Sequence, residues 1–185
     1  MSWLRIYDEY ADELVLRTRH PEIAAELKGV GVAFERWEAS RPLKPEATQE
    51  DVLSAYASQV ARLNADYGFK SVDVVSLRPT HPDRAAFRAK FLNEHTHDDF
   101  EVRFFVEGRG LFYLHVNEKV YAVLCAQGDL ISVPAGTRHW FDMGTVPDFK
   151  CIRFFTTPDG WVGNFTGSDI AGRFPTFDNL VRQAA

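Results

Sequence analysis

The sequence predicts a mainly β protein: an antiparallel barrel or sandwich behind a helical front, with a short C-terminal extension. Two observations carry this. The spacing of apolar residues changes from helical to alternating near Ser71. Six short apolar runs then follow at even intervals, with turn residues between them. Composition makes a packed core feasible: 45% of the 185 residues are hydrophobic, including 15 Phe, 4 Trp and 6 Tyr, which rules out a disordered chain. The length fits a single domain, divided into a helical flank (1–70), a barrel core (71–156) and an extension (157–185).

Taken in order, the charged N-terminal stretch reads as a solvated helix face. Residues 21–28 form a short helix with Pro21 in its first turn, broken by Gly29 and Gly31. A loop covers 41–45. Thr48 is the expected N-cap of the next helix, with Gln49, Glu50 and Asp51 suited to its first turn. Val52, Leu53, Tyr56, Val60 and Leu63 then recur at helical spacing, giving an amphipathic helix over about 49–64 that Tyr67-Gly68 ends. Residues 72–77 read as a strand and Pro79 to Asp83 as a turn region. The stretch 84–92 is open between a helix and a lead-in. Strands are expected at 100–107, 111–116, 120–125, 130–134, 138–142 and 149–156, and one terminal helix in the extension.

The formal charge of −5, without a Lys/Arg stripe, argues against nucleic acid or an anionic membrane as partner. No apolar run approaches the roughly 18 residues of a spanning helix, and the N-terminus does not read as a signal peptide. Cys125 and Cys151 are too few for a disulfide framework, so both are expected as reduced structural thiols in a cytosolic protein. His20, His81 and His115 show no ligand spacing and are expected in surface or core roles.

The informative segment runs from Phe91 to Gly110. His95 and His97 are two apart, so on an extended chain both rings share one face, and Glu101 has the same parity. On the following strand Phe100, Val102, Phe104 and Val106 face one way, and Glu101, Arg103 and Phe105 the other. A polar set on one face of an apolar sheet is costly to bury unless it is paired or binds an ion. A second segment, 128–141, supplies a turn at Gly128-Asp129, a tight turn at Pro134-Ala135-Gly136, and His139 with Phe141 at its parity. These parts suggest a divalent metal held by His95, His97, Glu101 and His139. The two segments would meet as barrel neighbours, with the metal near the mouth.

The spacings resemble the two cupin motifs, which implies a jelly-roll barrel. In the first, Gly-x5-His-x-His-x3,4-Glu-x6-Gly, the residues are His95, His97, Glu101 and Gly108, with Ala89 replacing the leading Gly. In the second, Gly-x5-Pro-x-Gly-x2-His-x3-Asn, they are Gly128, Pro134, Gly136 and His139, with Met143 replacing Asn. All four ligand types stay in place. Within the cupins, Glu94-His95-Thr96-His97 through Phe104, the string at 108–112, the front at 29–37 and the segment at 133–141 are similar to acireductone dioxygenases of methionine salvage. The likeness runs from about residue 29 to 165.

That resemblance implies one Fe(II) or Ni(II) per chain on His95, His97, Glu101 and His139, a choice that suits imidazole and carboxylate donors. It implies oxidation of 1,2-dihydroxy-5-(methylthio)pent-1-en-3-one by O2, with products that depend on the metal. Arg103 is the candidate catalytic cation, the other reading being an ion pair to Glu101 or Glu107. Phe91, Phe105, Phe141 and Trp161 are candidates to line the pocket for the thioether tail, although each also suits ordinary core packing. Arg153 is a further pocket candidate, with a structural ion pair the favoured reading. Glu94 could bond a ligand imidazole from the second layer, or be a surface carboxylate. A monomer is expected. Two other readings stay open: a cupin isomerase or hydrolase using Zn or Mn, and a non-enzymatic cupin that binds a small ligand.

Overall fold

The computed structural model describes residues 1–158 and 161–183. Eleven strands occur among them: β1 (Trp3–Asp8), β2 (Glu13–Arg17), β3 (Ala33–Arg36), β4 (Ser71–Leu77), β5 (His95–Thr96), β6 (Glu101–Val116), β7 (Lys119–Ala126), β8 (Asp129–Val133), β9 (Arg138–Asp142), β10 (Phe149–Phe155) and β11 (Asn164–Phe165). The helices are α1 (His20–Lys28), α2 (Gln49–Ala55), α3 (Ala57–Tyr67), α4 (Arg84–Phe91) and α5 (Phe177–Gln183), with a 3-10 turn at Ile170–Arg173. All strand pairings are antiparallel.

Strand β6 organises the molecule. Its first half pairs with β8 and β10, and its second half with β7 and β9. Around the second half the order is β11-β5-β9-β6-β7-β1-β2, while β3 extends β8 and β4 extends β10. The two faces share β6, and the ladder does not close into a ring. This is a mainly β, cupin-type antiparallel jelly roll. The runs at 100–107 and 111–116, expected as two strands, are one 16-residue strand. A register shift opposite Lys150 and Cys151 inserts one extra residue in β6. Inward parity therefore changes from Glu101, Arg103 and Phe105 to Gly110, Phe112 and Leu114.

Three apolar layers result. The interior gathers Leu4, Ile6, Phe105, Phe112, Leu114, Val123, Phe141 and Phe149 from both faces. The outer surface of one face, with Val102, Phe104, Ile152 and Phe154, is covered by Val52, Tyr56 and Leu63 of the front helices. The other, with Tyr113, Leu124 and Trp140, is covered by Ile170, Phe174, Phe177 and Leu180 of the extension. Three layers explain why inward and outward residues of the central strands are both apolar.

Several expectations change. The front is not only helical, because β1, β2 and β3 lie within it. The N-terminal stretch is a strand and not a solvated helix face. Leu4 and Ile6 point inward, while Trp3 and Tyr7 pack under the extension. A strand covered on both faces shows no alternation, which hid it. The helix expected over 49–64 is two helices, α2 and α3, which meet at Tyr56 (φ −112°, ψ 24°). Thr48 caps α2 in a reciprocal box with Asp51, as its residue type predicts. The open stretch 84–92 is helix α4, tied to the barrel by a bidentate Arg88–Asp142 pair (2.7 and 3.0 Å).

Gly108 sits at the bend of β6 with φ +69°. A Cβ there would lie 2.0 Å from the Asp148 carbonyl oxygen and 2.7 Å from Phe149 Cα, both main-chain atoms. Gly108→Ala is therefore expected to destabilise the fold by about 3 kcal/mol or more. A urea midpoint within error of the parent chain would refute this.

Candidate metal centre

Strand pairing brings the two distant segments together. His95 of β5 lies opposite His139 of β9. Gly136 has φ +75°, and its N–H donates to the His97 carbonyl at 2.8 Å, so the tight turn of the second segment pins the loop of the first. Glu101 opens β6 and points inward beside them. Donor atoms of His95, His97, Glu101 and His139 all lie within 4.8 Å of one another, and all four residues are buried. The ring centroids are 4.5–5.0 Å apart.

The ring nitrogens are sorted by the backbone. His95 Nδ1 donates to the Asn93 carbonyl and His139 Nδ1 to the Thr137 carbonyl, each at 2.7 Å. His97 Nδ1 donates to the carbonyl of Val162. A neutral imidazole with its hydrogen on Nδ1 presents a bare lone pair at Nε2. Yet His97 Nε2 and His139 Nε2 each lie 2.8 Å from the same oxygen, Glu101 Oε2. His97 Nε2 is buried and makes no hydrogen bond that satisfies it. Unless a proton is shared between them, lone pairs facing a carboxylate at that distance repel, and a divalent cation among them would take the place of that proton. The donor set fits a borderline divalent ion of the transition series.

The charges agree. Burial, together with the charge of His139, pushes His95 down to about 4, so its lone pair is free at neutral pH. Burial also works to lower His97, but the Glu101 carboxylate turns the balance and raises it. Burial alone would raise Glu101, yet Arg103, helped by His139 and His97, holds it well below the ordinary carboxylate range. The Arg103 guanidinium pairs with Glu101. It is boxed by aromatic rings, its carbon 4.7 Å from the centroid of Phe141 and 5.0 Å from that of Phe112. It is 2% exposed. Burial pushes the Cys151 thiol up to about 11, and both cysteines are free and buried, with no thiolate character to offer the site.

The model of the ARD/ARD' family matches residues 3–163. This chain belongs to the ARD/ARD' family. It is 60% identical over 186 residues to the acireductone dioxygenase of Methylococcus capsulatus, covering 100% of both chains. It is 55% identical over 181 residues to that of Aquifex aeolicus, covering 98% of this chain and 99% of the relative. Among solved structures it is similar to an acireductone dioxygenase from Bacillus anthracis with a cadmium ion in its active centre. The TM-score is 0.79 and the identity 30%, over 89% of this chain and 98% of that one.

The other expected residues distribute unevenly in this ARD/ARD' family chain. A cavity of about 260 Å³ opens onto His97 and Glu101, walled by Phe100, Phe155 and Trp161. A second, about 510 Å³, is lined by Phe91, Trp161, Met143 and Arg153, so Trp161 borders both. Phe141 packs on Arg103 in the interior. Phe105 lies in the interior against Phe149 and lines neither cavity. Arg153 is taken up by a bidentate pair with Asp73 (2.8 and 2.6 Å), matching the favoured ion-pair reading. Glu94 bonds none of the ligand imidazoles; its side chain reaches His115 and Thr166. The carbonyls of Asn93, Thr137 and Val162 were not foreseen, since a backbone acceptor has no residue-type signature.

Proposed function

We propose that this chain is a metal-dependent dioxygenase that cleaves 1,2-dihydroxy-5-(methylthio)pent-1-en-3-one with O2. With iron the products are 4-methylthio-2-oxobutanoate and formate; with nickel they are methylthiopropanoate, formate and carbon monoxide. The observation that carries the reading is the set of three imidazoles and one carboxylate, backbone-sorted and buried beside a cavity. His95, His97, Glu101 and His139 would hold one Fe(II) or Ni(II). That ion, when bound, supplies Lewis acidity toward the substrate's oxygens.

The chain's own residues do the rest. Phe100, Phe155, Trp161 and Val162 give the smaller cavity an apolar wall beside the reacting oxygens. Arg103 holds a fixed positive charge behind Glu101 and favours an anionic substrate. Phe91 and Trp161, at 5.1 Å between ring centroids, offer an apolar face to the thioether tail. The whole-length relatives favour this reading over a cupin isomerase, hydrolase or ligand store. The chain acts on small molecules as a monomeric single domain in the cytosol, a reducing compartment suited to its free, buried thiols.

The test mixes metal-loaded protein with the enediol anaerobically and then admits air. Oxygen uptake well above the uncatalysed rate is expected, with carbon monoxide only from the nickel-loaded form. Uptake no faster than the blank, with metal confirmed bound, rejects the proposal.

A further inference from the structure

Glu94 precedes His95 in the chain, yet its side chain turns away from the imidazoles. It is 2% exposed. One carboxylate oxygen accepts the Thr166 hydroxyl at 2.8 Å. The other lies 2.7 Å from His115 Nδ1, and His115 Nε2 lies 2.9 Å from Glu9 Oε1. The Glu94 carbonyl also accepts the Thr166 N–H at 3.1 Å. Thr166 is thus held by both the side chain and the main chain of one buried residue. A carboxylate is kept out of water only when its partners offset the desolvation. Here they come from β6 and from the end of β11, and Glu9 in the turn after β1 backs His115 in turn.

What this joint holds lies across the candidate metal centre. Residues 161–166 form a strap. The Trp161 ring rests 5.6 Å from His95 and 5.2 Å from His97, centroid to centroid. The Val162 carbonyl takes the His97 Nδ1 hydrogen. Phe165 pairs with His95 through the two-residue strand β11, a ladder far shorter than the five or six residues of an ordinary strand. Of the three imidazoles, His97 alone is oriented by a carbonyl distant in sequence. His95 and His139 each use the carbonyl two residues before them.

We infer that Glu94 and His115 are positioning residues: through Thr166 they fasten the 161–166 strap, whose Val162 carbonyl and Trp161 ring set the orientation of the His97 imidazole. The inference rests on the metal reading given under Proposed function and adds the residues that hold one ligand in register. Partners in this outer layer typically change metal affinity by 10–100-fold.

The test uses Thr166→Val, which removes the hydroxyl at nearly constant volume, with Thr166→Ser as the conservative control. Glu94→Ala and His115→Phe attack the same joint from the barrel side. Asp129→Asn perturbs an equally buried carboxylate whose partners are Ser2, Ala126 and Arg36, away from the strap. Two quantities are read: the rate at which EDTA strips Ni(II) from the loaded protein, and hydrogen exchange of the Trp161 indole N–H in the metal-free protein. Thr166→Val is expected to speed both by about ten-fold, Glu94→Ala and His115→Phe to act in the same direction, and Thr166→Ser to restore parent rates. Parent rates in Thr166→Val, or equal acceleration in Asp129→Asn, would overturn the inference. Failure of the parent protein to take up nickel would overturn the metal reading instead, while the indole measurement still decides the strap.

Discussion

His139→Ala is expected to give a folded protein that cannot keep its metal. The side chain is 2% exposed and its Nε2 faces Glu101 Oε2 at 2.8 Å. In the metal-free protein the loss of this buried contact is expected to lower the melting temperature only modestly, because Arg103 still pairs with Glu101. With metal the two proteins separate. A ligand that binds only the native state raises its stability by mass action, so nickel should raise the melting temperature of the parent and leave His139→Ala unmoved. Turnover should fall by about 10³-fold, equivalent to ~4 kcal/mol of transition-state stabilisation. The same holds for His95→Ala. Full metal content by elemental analysis in both variants would contradict the ligand assignment.

Arg103→Ala separates charge from ligation. The guanidinium pairs with Glu101 and lies among the rings of Phe91, Phe112 and Phe141. Its removal leaves the Glu101 carboxylate buried without its cation. In the metal-free protein this is expected to cost about 3 kcal/mol, as for other broken buried pairs. A bound divalent ion would neutralise the same carboxylate, so metal loading should recover most of that loss. Activity should not recover with it: loss of one preorganised electrostatic partner typically lowers kcat by 10²–10³-fold. Arg103→Lys is expected to recover activity only in part, because an ammonium cannot stack as a planar guanidinium does. Unchanged kinetics in Arg103→Ala would return this residue to a purely structural role.

The parts of this molecule legible in the sequence are those where side-chain type and local spacing suffice. The His95, His97 and Glu101 parity needs only an extended chain, and His139 follows from the turn at Gly136 that the structure shows bonded to His97. The Thr48 cap was readable because its chemistry is complete within four residues. What escaped depends on tertiary cover. Strand β1 lost its alternation because the interior claims Leu4 and Ile6 while the extension claims Trp3 and Tyr7. The continuity of β6 was masked by Gly108 and Gly110, which read as turn residues. Close approach of the Asp148 main chain and the Phe141 ring requires them inside a strand instead. Glu94 follows neither of its two expected readings: its carboxylate is buried, and it bonds His115 and Thr166 instead of a ligand imidazole. Its partners His115 and Thr166 lie 21 and 72 positions away, beyond any local pattern.

The most direct measurement is anomalous scattering at the nickel or iron edge from crystals of the metal-loaded protein. One peak per chain is expected, about 2.0–2.2 Å from Nε2 of His95, His97 and His139 and from a carboxylate oxygen of Glu101. A peak elsewhere in the molecule, or none in protein shown to turn over the enediol, would contradict the account.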